Sequence, residues 1–180
     1  MKNTLYITGF LAMFALGSCY PDKTWYRRQI SHQENELLAA ARSGKLDSTS
    51  VYQLLSRYEL YANQYPHDPG TINMLYKAAD FYRALNMPLR SVAIYEDLCG
   101  RFPQHPDRPK WLFLQGFIYE SEIKNLHAAR IKYEVFLKEF PDHPLAKDVH
   151  LSLRWLGKSP EEIVATFKSS TSDSARASSR

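Results

Sequence analysis

The sequence lacks the short motifs that mark most metalloproteins and hydrolases. It has no HExxH or CxxC spacing for a metal, no GxSxG motif around a serine nucleophile and no glycine-rich phosphate loop. Paired carboxylates at Glu120 and Glu122, and at Glu161 and Glu162, fit solvated helix faces and caps. We therefore expect a protein that is not an enzyme and that holds no metal or bound cofactor.

Glycine, cysteine and blocks of like charge are also scarce. Glycine occurs seven times and cysteine twice in 180 residues. The formal net charge of +4 is too small and too scattered to predict nucleic-acid binding. With 44% hydrophobic residues, the chain is long enough for one domain with a sizeable core.

The chain does have an internal repeat. The stretch YEVFLKEFPDHP at 133–144 is copied as YEDLCGRFPQHP at 95–106 and as YELYANQYPHDP at 58–69. In each copy a tyrosine lies eight residues before a proline, an aromatic residue precedes that proline, and a second proline follows three residues later. The copies lie 37 and 38 residues apart, and this period predicts stacked structural units.

Apolar residues at intervals of three and four, interrupted by prolines, predict helices joined in hairpins, and no segment predicts a strand. Helix starts are indicated by Asp47, by Asp68 with Pro69, and by a capping box from Ser159 to Glu162. The helical domain covers residues 31–168, and the serine-rich tail 169–180 is predicted to be disordered. The eight predicted helices are 31–43, 51–65, 69–85, 88–102, 107–124, 125–140, 144–156 and 159–167.

Two of the first helices share a small residue, Ala79 or Gly116, with a tyrosine three residues on. The second helices share a small residue, a tyrosine four residues later and a final proline: Ser91, Tyr95 and Pro103, then Ala129, Tyr133 and Pro141. This pattern resembles the tetratricopeptide repeat (TPR), with one extra residue near Asn125. The resemblance implies an all-α, right-handed α-solenoid of stacked TPR-like helix hairpins. After Pro141 the pattern departs, with Arg154 at the small position, and we interpret that segment as a C-terminal cap.

The TPR resemblance implies a concave, partner-facing groove on the first helices of the hairpins. Its aromatic members, Tyr76, Phe113 and Phe117, are flanked by charges, as binding hot spots often are. The alternative is that these rings only pack between helices. The implied partner-binding residues are Asn73, Tyr76, Asp80 and Arg83 in one repeat and Lys110, Phe113, Phe117 and Glu120 in the next.

The N-terminus resembles a bacterial lipoprotein signal. A mainly apolar run, Leu5–Leu16, too short to span a bilayer, predicts a secretory signal peptide over residues 1–18. Residues 16–19, LGSC, resemble a lipobox, which implies that Cys19 becomes the first mature residue and carries a covalent lipid such as palmitate, with 19–30 as a tether. An ordinary signal peptide with an incidental cysteine is the alternative. Because Tyr20 follows Cys19, without aspartate or an acidic cluster, the resemblance implies the periplasmic face of the outer membrane.

A lipid-anchored chain of TPR hairpins resembles the BamD-like lipoproteins of outer-membrane protein assembly and the TPR coordinators associated with the Tol–Pal system. The first resemblance implies a scaffold for partner proteins, and the second a coordinator of cell-envelope or peptidoglycan machinery. The implied partners are envelope proteins or peptide segments, and the membrane through the lipid, with no nucleic acid. A structural spacer without a groove is a further alternative.

Three histidines lie in the turns between repeats, at His67, His105 and His143. Stacked repeats are about ten ångströms apart, too far for these imidazoles to share a metal at about 2 Å, so turn and cap roles are the simpler interpretation. Cys99 is interpreted as a buried small hydrophobic residue, since it has no disulfide partner. The segment Trp25–Arg28 is predicted to lie at the lipid headgroups, to dock on a partner or to pack on the first helix.

Overall fold

A computed structural model describes residues 22–165, and this part of the chain is helical and contains no β-strand. The predicted all-α class is confirmed. α5 continues directly into a π-helical segment, Tyr119–Ile123, which we call the π-turn. A further helical segment begins at residue 160 and reaches the end of the described residues. The α-helices are α1 (Lys23–Arg42), α2 (Ser48–Gln64), α3 (Pro69–Ala84), α4 (Pro88–Arg101), α5 (Arg108–Ile118), α6 (Leu126–Glu139) and α7 (Ala146–Trp155).

The predicted helix starts carry the predicted caps. The Asp47 carboxylate accepts hydrogen bonds from the Ser50 N–H and hydroxyl at 2.9 and 2.7 Å. Asp68 accepts from the Gly70 N–H at 2.8 Å, with Pro69 at the first helical position. Ser159 and Glu162 form the predicted reciprocal capping box. These bonds satisfy amide donors that the first turn of a helix leaves without partners.

Three predicted boundaries are wrong. α1 begins at Lys23 rather than at residue 31, so most of the segment expected to be a tether is helical. α7 begins at Ala146, after Pro144 rather than at it. The helix predicted over 107–124 is not uniformly α-helical, because it ends in the π-turn. The predicted signal peptide, Cys19 and the tail 169–180 lie outside the described residues.

The described residues fall into two compact units, one ending at Arg57 and one beginning at Tyr58. In the first unit α1 buries Ile30 and Leu37, and Gln33 Nε2 donates to the Ser50 carbonyl of α2 at 3.3 Å. Leu38, which follows Leu37 in the apolar part of α1, is 50% exposed. The apolar stripe of α1 is therefore narrower than its sequence suggests.

In the second unit each helix from α3 to α7 packs against the next in the chain. The tyrosines that open the three sequence copies, Tyr58, Tyr95 and Tyr133, are fully buried. The repeat therefore marks the residues that hold the helices together. At this level the predicted TPR-like stacking of hairpins is confirmed.

Gly116 shows why a small residue is needed at the mid-helix position. A Cβ atom added to Gly116 would lie 2.5 Å from Cε1 of Tyr133, which real Cβ atoms essentially never show. The ring that fills this space belongs to Tyr133 on α6 and not to Tyr119, the tyrosine three residues after the glycine. The glycine lets α5 and α6 approach closely. None of the helices between residues 22 and 165 is long and apolar enough to cross a bilayer.

Candidate partner-binding groove

The eight predicted groove residues lie on two neighbouring stretches, α3 and α5 with its π-turn. Two contacts join these stretches. Lys110 Nζ lies 4.9 Å from the centre of the Tyr76 ring. The Arg83 guanidinium donates twice to Glu122 Oε1, at 2.8 and 2.6 Å. These contacts place α3 beside α5 and its π-turn, and we call the surface of these two stretches that carries the eight predicted residues the groove face.

Exposure differs across the groove face. Half of the eight residues are exposed and half are partly buried. Phe117 is 39% exposed, more than expected for a ring that only packs between helices. The exposed residues are Asn73, Asp80, Lys110 and Phe117, and the partly buried ones are Tyr76, Arg83, Phe113 and Glu120.

The aromatic residues of the groove face belong to two groups of contacting rings. Tyr76 meets Tyr95 edge to face, with ring centres 5.9 Å apart. Phe113 lies 6.3 Å from Phe117 and 6.2 Å from Tyr133. Phe113 thus packs between helices, as the alternative interpretation expected, and its ring stacks on that of Phe117. The packing interpretation therefore applies to Phe113, and the binding interpretation applies to the exposed Phe117.

The charged residues of the groove face are held by partners. The buried Tyr133 hydroxyl donates to Glu120 Oε2 at 2.7 Å, and burial followed by this bond raises the pKa of Tyr133. The hydrogen bond to Glu122 raises the pKa of Arg83. Contact with Tyr76 raises the pKa of Lys110. Lys110 therefore stays charged, at an exposed position beside an aromatic ring.

Sequence reasoning assigned Glu122 to a solvated helix face and missed its pairing with Arg83, which links the two repeats. The available signal was the extra residue near Asn125, because the π-turn that contains Glu122 is where that residue is accommodated. π-helical turns inside α-helices are often found at functional sites.

Two of the three turn histidines make turn hydrogen bonds, which fits the turn role of the simpler interpretation. His105 Nδ1 accepts from the Asp107 N–H at 3.1 Å, and the ring stacks on Trp111 with centres 4.9 Å apart. His143 Nδ1 accepts from the Leu145 N–H at 3.1 Å. His67 is exposed. No group of three or more metal-ligating side chains occurs between residues 22 and 165.

Cys99 is only partly buried, although the sequence indicated a buried residue. Its Sγ accepts a weak hydrogen bond from Gln115 Nε2 at 3.5 Å. Burial raises the pKa of the thiol, which disfavours the reactive thiolate. The thiol is therefore a packing element between α4 and α5.

A comparison with protein-family models supports the resemblance noted in the sequence. Residues 74–105 and 112–143 match the model described as tetratricopeptide repeat. These two segments are similar to TPR repeats. The first match begins inside α3 and runs through α4, and the second covers most of α5 and all of α6. A search of curated proteins found no match to this chain. TPR repeats mediate protein–protein interactions, so a protein partner is the function that this family supports.

Proposed function

We propose that this chain is a lipid-anchored scaffold at the periplasmic face of a bacterial outer membrane, binding partner proteins or peptide segments through the groove face. The observation that carries the binding role is the exposed Phe117 ring, stacked on Phe113, on a surface that also carries the exposed charges of Asp80 and Lys110. We assign no catalytic role, and no cofactor other than the covalent lipid on Cys19.

The groove face suits binding because it is held in place before a partner arrives. Arg83 is fixed by Glu122, Glu120 by the Tyr133 hydroxyl, and Tyr76 by Tyr95. A surface whose side chains are already ordered loses less conformational entropy on association. Rigid aromatic residues with charged neighbours are the usual composition of binding hot spots.

The proposed anchor rests on the LGSC sequence at 16–19. α1 begins at Lys23, so only residues 20–22 separate Cys19 from a helix. Trp25, in the first turn of that helix, is 48% exposed. Tryptophan is favoured at lipid headgroups, which suits a helix that starts beside a lipidated residue.

Among envelope roles we favour a scaffold in outer-membrane protein assembly, on the resemblance to the BamD-like lipoproteins. A coordinator of Tol–Pal or peptidoglycan machinery would use the same groove with other partners. A structural spacer would not use the groove at all. The experiments below distinguish a partner-binding scaffold from a structural spacer. They test the lipid anchor independently.

The binding role is tested by photo-crosslinking in cells from position 73, at the exposed edge of the groove face. We expect Phe117→Ala to lose most crosslinked partners, because it removes the exposed anchor ring. Leu89→Ala, at a 62% exposed leucine of α4, is the matched control and should keep them. A Phe117→Ala chain that folds normally and keeps every partner would favour the spacer.

The anchor is tested by labelling with palmitate and by membrane fractionation. The unaltered chain should take up the label and fractionate with the outer membrane. Cys19→Ala should lose both properties. Continued labelling of Cys19→Ala would exclude lipidation at this residue, and labelling in the inner membrane would contradict the proposed location.

A further inference from the structure

The first two turns of α1 lie close to the residue that the proposed anchor lipidates. Only residues 20–22 separate Cys19 from the helix start at Lys23. A chain of this length spans at most about 14 Å even when it is fully extended. The headgroup region of a bilayer is about 5–8 Å thick on each side. A lipid on Cys19 therefore keeps the start of α1 within or next to the headgroups.

This end of α1 also carries the excess positive charge of residues 22–57, the described part of the first compact unit. Lys23, Arg27 and Arg28 are all exposed, and the only acidic residue beside them is Asp22. In the rest of this segment three cations are matched by three acids. The cations are Arg42, Lys45 and Arg57, and the acids are Glu34, Glu36 and Asp47.

An exposed indole ring accompanies these cations. Trp25 is 48% exposed, and its ring meets the ring of Tyr26 edge to face, with centres 5.2 Å apart. Tyr26 is partly buried, and Ile30, four residues further along the same side of α1, is fully buried. Arg28 lies three residues after Trp25, so these two exposed side chains share another side of the helix. One helix end thus presents an indole ring and basic groups together.

We propose that Lys23, Trp25, Arg27 and Arg28, the basic end of α1, bind the headgroups of anionic phospholipids beside the lipidated Cys19. The basic side chains pair with lipid phosphates, and the indole ring lies at the level of the headgroups. Charge complementarity carries the choice of partner, because three cations stand against one acid at a helix end that the anchor holds near the membrane. The proposal rests on the proposed lipid anchor and adds a second membrane contact to it.

The test uses the chain from residue 19 onward, which contains all of the described helices, with Cys19→Ser so that no acyl chain contributes. Vesicle sedimentation compares vesicles of phosphatidylcholine with vesicles of equal parts phosphatidylcholine and phosphatidylglycerol, an anionic lipid. We expect about ten-fold tighter binding to the anionic vesicles, because each basic residue near a charged surface adds to the attraction. Raising the salt concentration should remove the preference.

Charge variants locate the contact. Arg27→Glu with Arg28→Glu should weaken binding to the anionic vesicles about ten-fold. The matched control is Arg42→Glu with Lys45→Glu, which makes the same charge change at exposed positions about 20 Å further along α1 and beyond its end. Binding of this control should stay within about two-fold, because the distance exceeds the screening length. Thermal unfolding verifies that each variant is folded, and Arg27→Gln with Arg28→Gln replaces the glutamate variant if that variant is unstable.

Fluorescence tests the position of the indole ring. Phospholipids with brominated acyl chains near the headgroups should quench the tryptophan emission of the bound chain. Trp25→Phe, which leaves Trp111 and Trp155 in place, should lose this quenching.

Four outcomes would overturn the proposal. They are equal binding to the two kinds of vesicle, unchanged binding by the folded Arg27→Glu, Arg28→Glu chain, quenching that persists in Trp25→Phe, and the absence of vesicle binding together with crosslinks from position 28 to an envelope protein in cells. The last outcome would assign this helix end to a protein partner.

The lipid anchor stands separately, because the chain in the vesicle test cannot be acylated. If the unaltered protein takes up palmitate while the Cys19→Ser chain shows no preference for anionic vesicles, the anchor survives and the proposed contact of α1 fails. If the palmitate test fails while the anionic vesicles are bound, the contact survives without the anchor.

Discussion

The two repeats matched by the family model, α3–α4 and α5–α6, differ in one turn. In the first, Asn86 adopts a left-handed conformation with φ 58°, four residues after Tyr82. In the second, Lys124 does so with φ 61°, five residues after Tyr119. The one-residue difference between the sequence periods of 37 and 38 residues therefore arises in this turn.

Both turns nevertheless end with a hydrogen bond to the same acceptor, the carbonyl of the tyrosine. The Met87 N–H donates to the Tyr82 carbonyl at 2.8 Å, and the Asn125 N–H donates to the Tyr119 carbonyl at 2.9 Å. The tyrosine carbonyl closes the turn in each repeat, and the extra residue is held inside the π-turn. An insertion in the first helix thus leaves the start of the second helix in place.

The inserted residue also changes what the groove face can do. The π-turn carries two carboxylates with different partners, Glu120 on Tyr133 and Glu122 on Arg83 of the preceding repeat. We infer that the wider turn directs both carboxylates at once. The predictions below test this difference between the repeats, from the largest expected effect to the smallest.

Adding one methyl group at Gly116 should have the largest effect. The first repeat has a Cβ at this position, in Ala79, but at Gly116 a Cβ meets the Tyr133 ring. We expect Gly116→Ala to lower the free energy of unfolding by about 1–3 kcal/mol, the usual cost of overpacking. Urea denaturation followed by circular dichroism measures it.

Gly100→Ala is the matched control, because Gly100 is also helical and a Cβ there has no other atom within 4 Å. This substitution should raise stability by about 0.5–1 kcal/mol, since alanine favours helix over glycine. If Gly116→Ala proves as stable as Gly100→Ala, the close approach of α5 and α6 is not what the glycine provides.

The next largest difference in stability between the two repeats should come from removing the hydroxyl of the buried tyrosine. Tyr133→Phe leaves the partly buried Glu120 without its 2.7 Å donor, and we expect a loss of about 1–2 kcal/mol. Tyr95→Phe removes only a 3.5 Å contact to the exposed Asp80, where water can replace it, and should cost less than about 0.5 kcal/mol. Equal losses in thermal unfolding would contradict the difference between the two hydroxyls.

Deleting Ser121 should make the second repeat like the first. The deletion restores the 37-residue period, and we expect the π-turn to become α-helical and Glu122 to lose its alignment with Arg83. A double-mutant cycle on Arg83 and Glu122 should give a coupling energy of about 0.5–1 kcal/mol in the unaltered chain, because the pair is partly exposed. In the deletion variant the coupling should vanish. A coupling that persists would mean that the π-turn does not position Glu122.

Much of the fold could be predicted because its signals are local. Prolines end helices wherever they occur, and Asp68 or Ser159 caps whatever helix follows it. Side-chain partners were harder, because they depend on how helices stack. The tyrosine that covers Gly116 comes from α6, and Glu122 reaches Arg83 only through a π-turn that no propensity indicates. The candidate groove residues were predicted through the TPR pattern.

The smallest expected effect compares the turns that start the repeats. Asp68, His105 and His143 occupy the same position in the three sequence copies, and each side chain accepts the N–H two residues further on. His143→Ala should therefore cost about 0.5 kcal/mol, the low end of the net contribution of a hydrogen bond, because this turn bond is only partly buried. His143→Asp should recover most of that loss in thermal unfolding, because an aspartate already serves this role at Asp68. If the aspartate variant is no more stable than the alanine variant, the edge contact between the imidazole and Phe136 rings matters more than the hydrogen bond. The centres of these two rings are 5.8 Å apart.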